Sequence, residues 1–379
     1  MNKISVFKKD FLSVGVLKIL NLFFKLLNSV IFVQILGLSG RGEYFKFIQV
    51  SGVIGFFICL SLGDYLLFQV NQKKNNQSFI DFFKFYLYSY IILYVVSFFV
   101  LESNIRIWLL FIFSGSVEYL LLSFFKSERK YHTVSWFLFF KNLLIILTII
   151  VLSKSIALLD IFYIINYLNF FLVLIFSYWN NLFSGSYFKG IERMKELVNY
   201  AKYVHLNNIF NDFEDKADIL IISFFMSDQQ IGIYSIIVVI AQSINHLTNF
   251  LVQIISPNLK LVSMDNFKNI LQLTLFFGIM YFISILIFGE NILFYLYSIV
   301  EKEVWYFTLI LLIGVVFENI TKVYLTFFKF SKNYSIIGKI AIYTALINII
   351  FNLIFIPIYG IFGAVMVSLI TYTIRFIYF

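Results

Sequence analysis

The feature that most constrains this chain is a succession of apolar stretches, each long enough to form a membrane-spanning helix. A bilayer core about 30 Å thick needs roughly 20 apolar residues of helix. The apolar pattern is continuous rather than alternating, which predicts helices and not the strands of a membrane barrel. We therefore predict an all-α integral membrane protein with twelve transmembrane helices. The predicted spans are 12–36, 44–70, 80–101, 105–125, 132–153, 156–180, 199–225, 231–255, 269–289, 304–328, 335–357 and 360–379.

The composition excludes several other classes of protein. Only 13% of the 379 residues are charged and 61% are hydrophobic, whereas a soluble domain has about 25% charged residues. The single cysteine, Cys59, excludes a disulfide framework and a cysteine-based zinc or iron–sulfur site. The three histidines, His132, His205 and His246, lie far apart without metal-binding spacing. We therefore expect no metal, no cofactor, no catalytic residues and no enzymatic activity.

The basic residues of the connections predict an orientation. With a cytoplasmic N-terminus, the inner connections hold 15 Lys and Arg residues, and the outer ones hold only Arg41, Arg106, Lys154 and Lys302. An excess of Lys and Arg marks the cytoplasmic side. We therefore expect a multi-pass membrane protein with both termini cytoplasmic. The net charge of +9 is explained by an anionic lipid surface, so no nucleic-acid partner is expected.

A weak repeat and a central polar loop divide the chain. Gly-x-Tyr opens a helix at Gly42–Tyr44 and again at Gly232–Tyr234, 190 residues later. The polar segment Asn181–Leu197 lies between the two halves. Parallel repeats of this kind are typical of transporters whose halves move around a central site. The predicted domains are a six-helix bundle at 1–180, a cytoplasmic linker at 181–198 and a six-helix bundle at 199–379.

Four polar residues lie on one face of the first span, and contact between these side chains and lipid would be energetically costly. They are spaced i, i+3, i+7 and i+10, which places them on the same side of a helix. A charge at mid-bilayer costs roughly 2.5–3.5 kcal/mol on insertion scales, so this face must line a protein interior or a wet cavity. Interhelical salt bridges and an anionic ligand both explain it, and the lack of an acid in the same span mildly favours the ligand. The four residues are Lys18, Asn21, Lys25 and Asn28.

Other charged residues at depth are candidates for binding or for ion coupling. Glu318 and Lys322 are spaced i, i+4, so they can either neutralise each other or act in transport. Glu118 has no partner at local spacing, and such a carboxyl can exchange a proton or bind Na⁺. His246 is interpreted as a polar packing residue. The predicted coupling residues are Glu118, Asp218 and Glu318, and further basic residues are Lys141, Lys216 and Lys322.

Three stretches carry motifs that together resemble one family. The most specific is the last, in which Asn-x₃-Asn precedes Ile-Pro-x-Tyr-Gly-x-x-Gly-Ala. In order, the stretches are Leu36–Tyr44 with Leu60–Asp64, then Asp215–Asp218 with Ile231–Tyr234 and Ser256–Pro257, then Asn348–Ala364. They resemble the polysaccharide flippases of the multidrug/oligosaccharidyl-lipid/polysaccharide exporter superfamily, which translocate O-antigen and capsule repeat units.

The resemblance implies a fold and a substrate. The fold is two six-helix bundles in a V around a central cavity, and the location is the bacterial inner (plasma) membrane. The substrate is an undecaprenyl-diphosphate-linked oligosaccharide, which is moved between leaflets by alternating access coupled to Na⁺ or H⁺, with a polysaccharide polymerase as a candidate partner. Carried onto this chain, the cationic cavity holds the diphosphate at Lys18 and Lys25, assisted by Lys141 or Lys216. The amides of the cavity, such as Asn21 and Asn28, accommodate sugars.

Two other function classes fit the sequence less well: an exporter of a different cargo, and a membrane enzyme, which would be either a polymerase or an acyltransferase. A multidrug or cation exporter of the same superfamily needs an acidic cavity, whereas the first span offers a basic face. A membrane polysaccharide polymerase is expected to carry a large outer loop, whereas the longest outer connection, Glu290–Glu303, is short. An acyltransferase would need a membrane-embedded catalytic histidine, for which only His246 is suitably placed.

Overall fold

The computed structural model of the protein describes residues 3–58, 77–100, 103–128, 130–180, 182, 216–255, 264–328 and 334–378. All regular secondary structure within these ranges is helical. The helices are α1 (Lys3–Ile58), α2 (Gln77–Val100), α3 (Ser103–Ser127), α4 (Tyr131–Leu152), α5 (Leu158–Trp179), α6 (216–225), α7 (Asp228–Gln242), α8 (Asn245–Ile255), α9 (Met264–Tyr297), α10 (Lys302–Phe328) and α11 (Tyr334–Tyr378).

The chain is a multi-pass membrane protein. Among the described residues, seven helices are long and apolar enough to cross a membrane, or eight if α7 and α8, bent by 45°, form one crossing. Two of the long helices are broken by a glycine with positive φ, Gly37 in α1 (φ 73°) and Gly360 in α11 (φ 63°), a conformation that glycine adopts without steric cost. Each break falls at a predicted boundary between spans. The count of twelve crossings stays a prediction, because parts of 44–70 and 199–225 lie outside the described residues.

By their internal contacts the helices form two compact units. Unit 1 comprises Met1–Lys46 and Phe213–Phe379, and unit 2 comprises Phe47–Asp212. The first part of α1 thus groups with the C-terminal helices, whereas the predicted division assigned it to the first bundle. The predicted linker at 181–198 lies almost entirely outside the described residues. The division of the chain at this linker stays a prediction.

The core of unit 1 is built on α10. This helix packs against α7, α8, α9 and α11, and its Leu312 and Val315 are completely buried. Tyr234 and Ile237 of α7 are also completely buried in the same cluster. Helices in lipid are held together by such close side-chain packing rather than by a hydrophobic driving force. The core therefore fixes the helices against which the first part of α1 lies.

The core of unit 2 combines aromatic packing with a buried ion pair. The α3 helix packs against α2, α4 and α5, and Phe137 of α4 lies edge-on to Phe176 of α5, with ring centroids 5.3 Å apart. Lys141 Nζ of α4 lies 2.6 and 2.8 Å from the two carboxylate oxygens of Glu118 in α3. Asn169 of α5 donates to the same carboxylate at 3.0 Å. Three helices are thereby joined through one neutralised charge.

The two Gly-x-Tyr segments meet through their backbones within unit 1. A Cβ atom on Gly42 would lie 1.8 Å from the carbonyl oxygen of Asp228, and one on Gly232 would lie 2.0 Å from the carbonyl oxygen of Leu38. Both pairs of equivalent positions, 42 with 232 and 38 with 228, are 190 residues apart. The contact is therefore reciprocal, as expected where two copies of a repeat face each other. Lys46 reinforces it with an ion pair to Asp228 at 2.7 Å.

Alanine substitution should show how much stability depends on this contact. We expect Gly42→Ala and Gly232→Ala each to destabilise the protein by about 1–3 kcal/mol, because backbone atoms cannot make room for the added methyl group. Gly115→Ala is the matched control, since a Cβ there meets nothing within 4 Å. Thermal unfolding of the purified protein in detergent measures the change. Equal melting temperatures for all three variants would contradict the close approach.

A double substitution should reveal the coupling between Glu118 and Lys141. Lys141→Met alone should destabilise the protein by about 1–3 kcal/mol, because it leaves a largely buried carboxylate without its cation. Adding Glu118→Gln should restore most of that stability, since the substituted amide still accepts the hydrogen bond from Asn169. Thermal unfolding checks both variants. Additive effects of the two substitutions would show that the pair is not coupled.

Candidate functional site

The polar face predicted for the first span lies on α1 in unit 1. All four of its residues are helical; Lys25 is exposed, Lys18 and Asn21 are half-buried, and Asn28 is buried. Two of the residues face α8, where Lys18 Nζ lies 5.1 Å from the centroid of the Phe250 ring and Lys25 contacts His246. Because the contacts run in opposite chain directions, α1 and α8 are antiparallel here.

The Lys25 ammonium has a base as its neighbour instead of an acid. Its Nζ lies 3.2 Å from Nε2 of His246. An ammonium can only donate hydrogen bonds. His246 therefore accepts with the lone pair of Nε2, and its ring is neutral in this contact. Among the described residues, no carboxylate forms an ion pair with Lys25. Within the described residues, Lys25 therefore does not form the interhelical salt bridge that was one of the two explanations for the polar face. His246, interpreted above as a polar packing residue, accepts a hydrogen bond from the Lys25 ammonium.

Arg41 is the residue that the sequence analysis missed. It was expected in an outer connection, but the structure places it in α1 beyond the break, with only 8% of its surface exposed. Its Nε donates to Ser235 Oγ at 3.1 Å. The guanidinium carbon lies 5.5 Å from the ring of Phe32 and 5.8 Å from that of Phe45. The i, i+4 spacing of Arg41 and Phe45 is the one sequence signal that could have indicated a helical, stacked arginine.

These residues form what we call the cationic cluster, defined as Lys18, Lys25, Arg41 and His246. Arg41 lies close enough to Lys25 for the two charges to repel each other. Like Lys25, Arg41 has no ion pair with a carboxylate among the described residues. Positive charges near one another in a medium of low dielectric are stabilised by an anion. A guanidinium offers the forked donors that match phosphate, and an ammonium adds a point charge.

The acids predicted for ion coupling occupy three different surroundings. Glu118 is paired with Lys141, so the premise that it lacks a fixed cation is wrong; the pairing joins α3 to α4, which sequence spacing does not reveal. Glu318 and Lys322 of α10 form the i, i+4 ion pair that was one of the two alternatives. Asp218 of α6 is buried and accepts hydrogen bonds from the Tyr234 hydroxyl and, at 2.7 Å, from the backbone N–H of Ile219.

The other two predicted binding residues are Lys141 and Lys216. Lys141 belongs to unit 2 and is engaged by Glu118. Lys216 lies half-buried at the beginning of the described part of α6, two residues from Asp218. Within the described residues, no group of three or more His, Cys, Asp or Glu side chains is placed to hold a metal ion. Within unit 1, the described basic residues of the cationic cluster form an arrangement that can bind an anion.

The chain is similar to known transporters. Residues 163–271 match the model of a family described as polysaccharide biosynthesis protein. The lipid II flippase MurJ, in an inward closed conformation, superposes with a TM-score of 0.66 at 17% identity, covering 97% of this chain and 86% of that one. An inward-facing multidrug resistance MATE family transporter of the MOP superfamily gives 0.67 at 11% identity, covering 94% and 92%.

A further solved structure belongs to the same set. A MOP superfamily transporter from Pyrococcus furiosus, described as having a binding pocket of reverse polarity that suggests a different function, gives a TM-score of 0.61 at 10% identity, covering 98% of this chain and 94% of that one. No curated protein matches the sequence. The family match and the shared fold together confirm the resemblance of this membrane protein to the polysaccharide flippases of the multidrug/oligosaccharidyl-lipid/polysaccharide exporter superfamily.

Proposed function

We propose that the chain is a flippase that translocates an undecaprenyl-diphosphate-linked oligosaccharide across the bacterial inner membrane. The observation that carries the proposal is the cationic cluster, in which Lys25 and Arg41 have no carboxylate partner among the described residues. A diphosphate is the part of such a lipid that these groups would recognise. The lipid-linked substrate of MurJ, a protein of the same fold, supports this class of cargo.

The contact between Lys25 and His246 suggests how the site receives an anion. The ammonium has three N–H donors, and in the arrangement described the neutral imidazole accepts from one of them. A phosphate oxygen is a stronger acceptor than the imidazole because its negative charge attracts the ammonium. The phosphate would therefore bind the remaining donors of Lys25, and Lys18, whose ammonium lies over the Phe250 ring of α8, would add a second cation. Asn21 and Asn28 on the same face of α1 provide amide groups for the adjoining sugar.

Translocation needs no covalent step. The two predicted bundles would alternate their exposure of the bound head group, while the polyprenyl chain stays in lipid. The reciprocal backbone contact around Gly42 and Gly232 is suited to open and close as a unit, since it consists of two equivalent halves. The cargo would be a repeat unit of O-antigen, lipopolysaccharide or capsule. A polymerase acting on the delivered unit is the proposed partner.

A multidrug or cation exporter remains the second candidate, because transporters of that kind share the fold. The polarity of the cluster argues against it. A cationic drug placed beside Lys25 and Arg41 would be repelled, whereas an anion would be attracted. The transporter from Pyrococcus furiosus, with its pocket of reverse polarity, indicates that this fold accommodates more than one polarity of pocket.

Charge reversal at Lys25 tests the proposal directly. Lys25→Glu should lower export of surface polysaccharide at least about tenfold, because it replaces a charge-assisted contact with repulsion of the diphosphate. Lys25→Arg should retain most export. Lys154→Glu, at an exposed position in the connection between α4 and α5, is the matched control. Surface polysaccharide and membrane-inserted protein are measured in cells that lack their own flippase.

Two outcomes of the Lys25→Glu experiment would contradict the proposal. Undiminished export by Lys25→Glu, with normal insertion of the protein, would exclude the cationic cluster as the diphosphate site. An equal loss in Lys154→Glu would show that any added negative charge impairs the protein. Either outcome would remove the support that the cationic cluster gives to the proposed substrate.

Ion coupling is the other part of the proposal, and Asp218 is the acid best suited to it. Glu118 and Glu318 each form an ion pair with a lysine, whereas Asp218 is buried and accepts hydrogen bonds from the Tyr234 hydroxyl and the Ile219 N–H. Asp218→Asn should flatten the dependence of transport on pH or Na⁺. Tyr234→Phe, which removes the hydroxyl but keeps the carboxylate, should alter the dependence without abolishing it. An unchanged dependence in Asp218→Asn would exclude Asp218 from coupling.

A further inference from the structure

Unit 2 contains a second site that is independent of the cationic cluster. At the end of the unit where α2 ends and α3 and α5 begin, a cavity of about 490 Å³ opens to the surface. Its lining includes Tyr94, Arg106, Asp160, Tyr163, Ile164 and Tyr167. Cavities that bind small ligands fall between about 300 and 1,000 Å³, so this one is of binding size. The orientation deduced from the basic residues places it on the outer side.

Three tyrosines give the cavity flat aromatic walls. The rings of Tyr163 and Tyr167 lie one turn apart on α5, with centroids 6.4 Å apart and an angle of 21° between their planes. The ring of Tyr94, from α2, stands at 71° to that of Tyr167, at 6.2 Å. The Tyr94 and Tyr167 hydroxyls are hydrogen-bonded to each other. That bond ties α2 to α5 and fixes the shape of the aromatic wall.

One cation and one anion stand on the rim of this wall. Arg106 lies in the first turn of α3 and Asp160 in the first turn of α5, where a negative charge is favoured by the helix dipole. Both lie close enough to the Tyr163 hydroxyl to act on it electrostatically. The guanidinium supplies donors, the carboxylate supplies acceptors, and the phenol supplies both. Their charges cancel, so the cavity has no net attraction for a phosphate.

This combination distinguishes the cavity from an ordinary aromatic belt. Tyrosines of a membrane belt direct their hydroxyls to the interface as anchors. Here two hydroxyls are bonded to each other, and the rings face a cavity flanked by a donor and an acceptor. A sugar ring has an apolar face of C–H groups that packs on an aromatic ring, and a rim of hydroxyls that need donors and acceptors at once. A zwitterionic phospholipid head group would also pair with the two charges and place its ammonium over a ring, but it lacks the rim of several hydroxyls that a donor and an acceptor side by side can bind.

We propose that the cavity lined by Tyr94, Tyr163 and Tyr167 is a carbohydrate-binding site for the oligosaccharide of the transported lipid. The ring of Tyr163 would carry the apolar face of a sugar, while Arg106 and Asp160 bind its hydroxyls. The inference rests on the proposed function for the source of the sugar. The site itself lies in unit 2, whereas the groups assigned to the diphosphate lie in unit 1.

Direct binding to the purified full-length chain tests the proposal. The protein is placed in lipid nanodiscs, and binding is followed by saturation-transfer NMR of the free sugar. The probe is the oligosaccharide released by mild acid from the surface polysaccharide of cells in which the chain supports export. Glycerophosphoethanolamine, the soluble head group of a zwitterionic phospholipid, is the competitor that distinguishes the other source of a ligand.

Matched variants locate the bound sugar. Tyr163→Ala should weaken binding about tenfold through loss of the stacked ring; Asp160→Asn should weaken it similarly, and Tyr163→Phe less, because the ring remains. Tyr178→Ala is the control, since Tyr178 is a tyrosine of the same helix that is 71% exposed and lies outside the cavity. Equal binding by the wild-type chain and Tyr163→Ala, or displacement of the sugar by glycerophosphoethanolamine, would overturn the proposal.

The outcome is separable from that of the proposed function. Lys25→Glu should bind the free sugar like the wild type, since the sugar carries no diphosphate. If the wild-type chain binds no sugar while Lys25→Glu fails to export, the carbohydrate site is wrong and the flippase proposal stands. If sugar binding depends on Tyr163 while Lys25→Glu exports normally, the carbohydrate site stands and the diphosphate site is wrong.

Discussion

The contact on which the candidate site depends is the one between two basic residues, in which the ammonium of Lys25 donates to the neutral imidazole of His246, 3.2 Å away. A charge at this depth is stable only with a partner, and most proteins provide a carboxylate. A neutral imidazole accepts a hydrogen bond but carries no negative charge, and no carboxylate in the described part of the chain forms an ion pair with Lys25. The positive potential of this part of unit 1 is therefore available to a ligand. Arg41, stacked on two phenylalanines, is stabilised by ring electrons in a similar way and also keeps its charge.

In unit 2, by contrast, the buried carboxylate of Glu118 is neutralised by an ion pair. Glu118 receives Lys141 and Asn169 at hydrogen-bond distance, so the charge is compensated within the unit and contributes to packing. The difference explains why depth alone does not identify a functional lysine. Lys25 and Lys141 are both basic residues inside apolar spans, and it is their neighbours that differ: Lys25 contacts a neutral imidazole and Lys141 a carboxylate.

The sequence predicts the helices well because length and apolarity are local properties. The break at Gly37, the break at Gly360 and the polar face of α1 all fall where the pattern placed them. The partners of the charged residues were not predictable, except for Glu318 and Lys322, whose spacing of four residues is itself local. Glu118 and Lys141 are 23 residues apart and Lys25 and His246 are 221 apart, so tertiary packing decides both contacts. Arg41 was misplaced because a glycine-rich stretch is typical of a loop, whereas here it contains only one non-helical residue.

The repeat links the fold to the proposed motion. Glycine is needed at 42 and 232 for a steric reason, since any side chain would collide with the carbonyl group of the facing segment. Because the two contacts are equivalent, neither can separate without loss of the geometry that holds the other, and the segments should part in one step. The same neighbourhood holds Arg41, one residue before Gly42, and its partner Ser235, three residues after Gly232. A change in this backbone contact would move the segment that carries Arg41, and in the proposed function this would link the cationic cluster to the motion of the repeats.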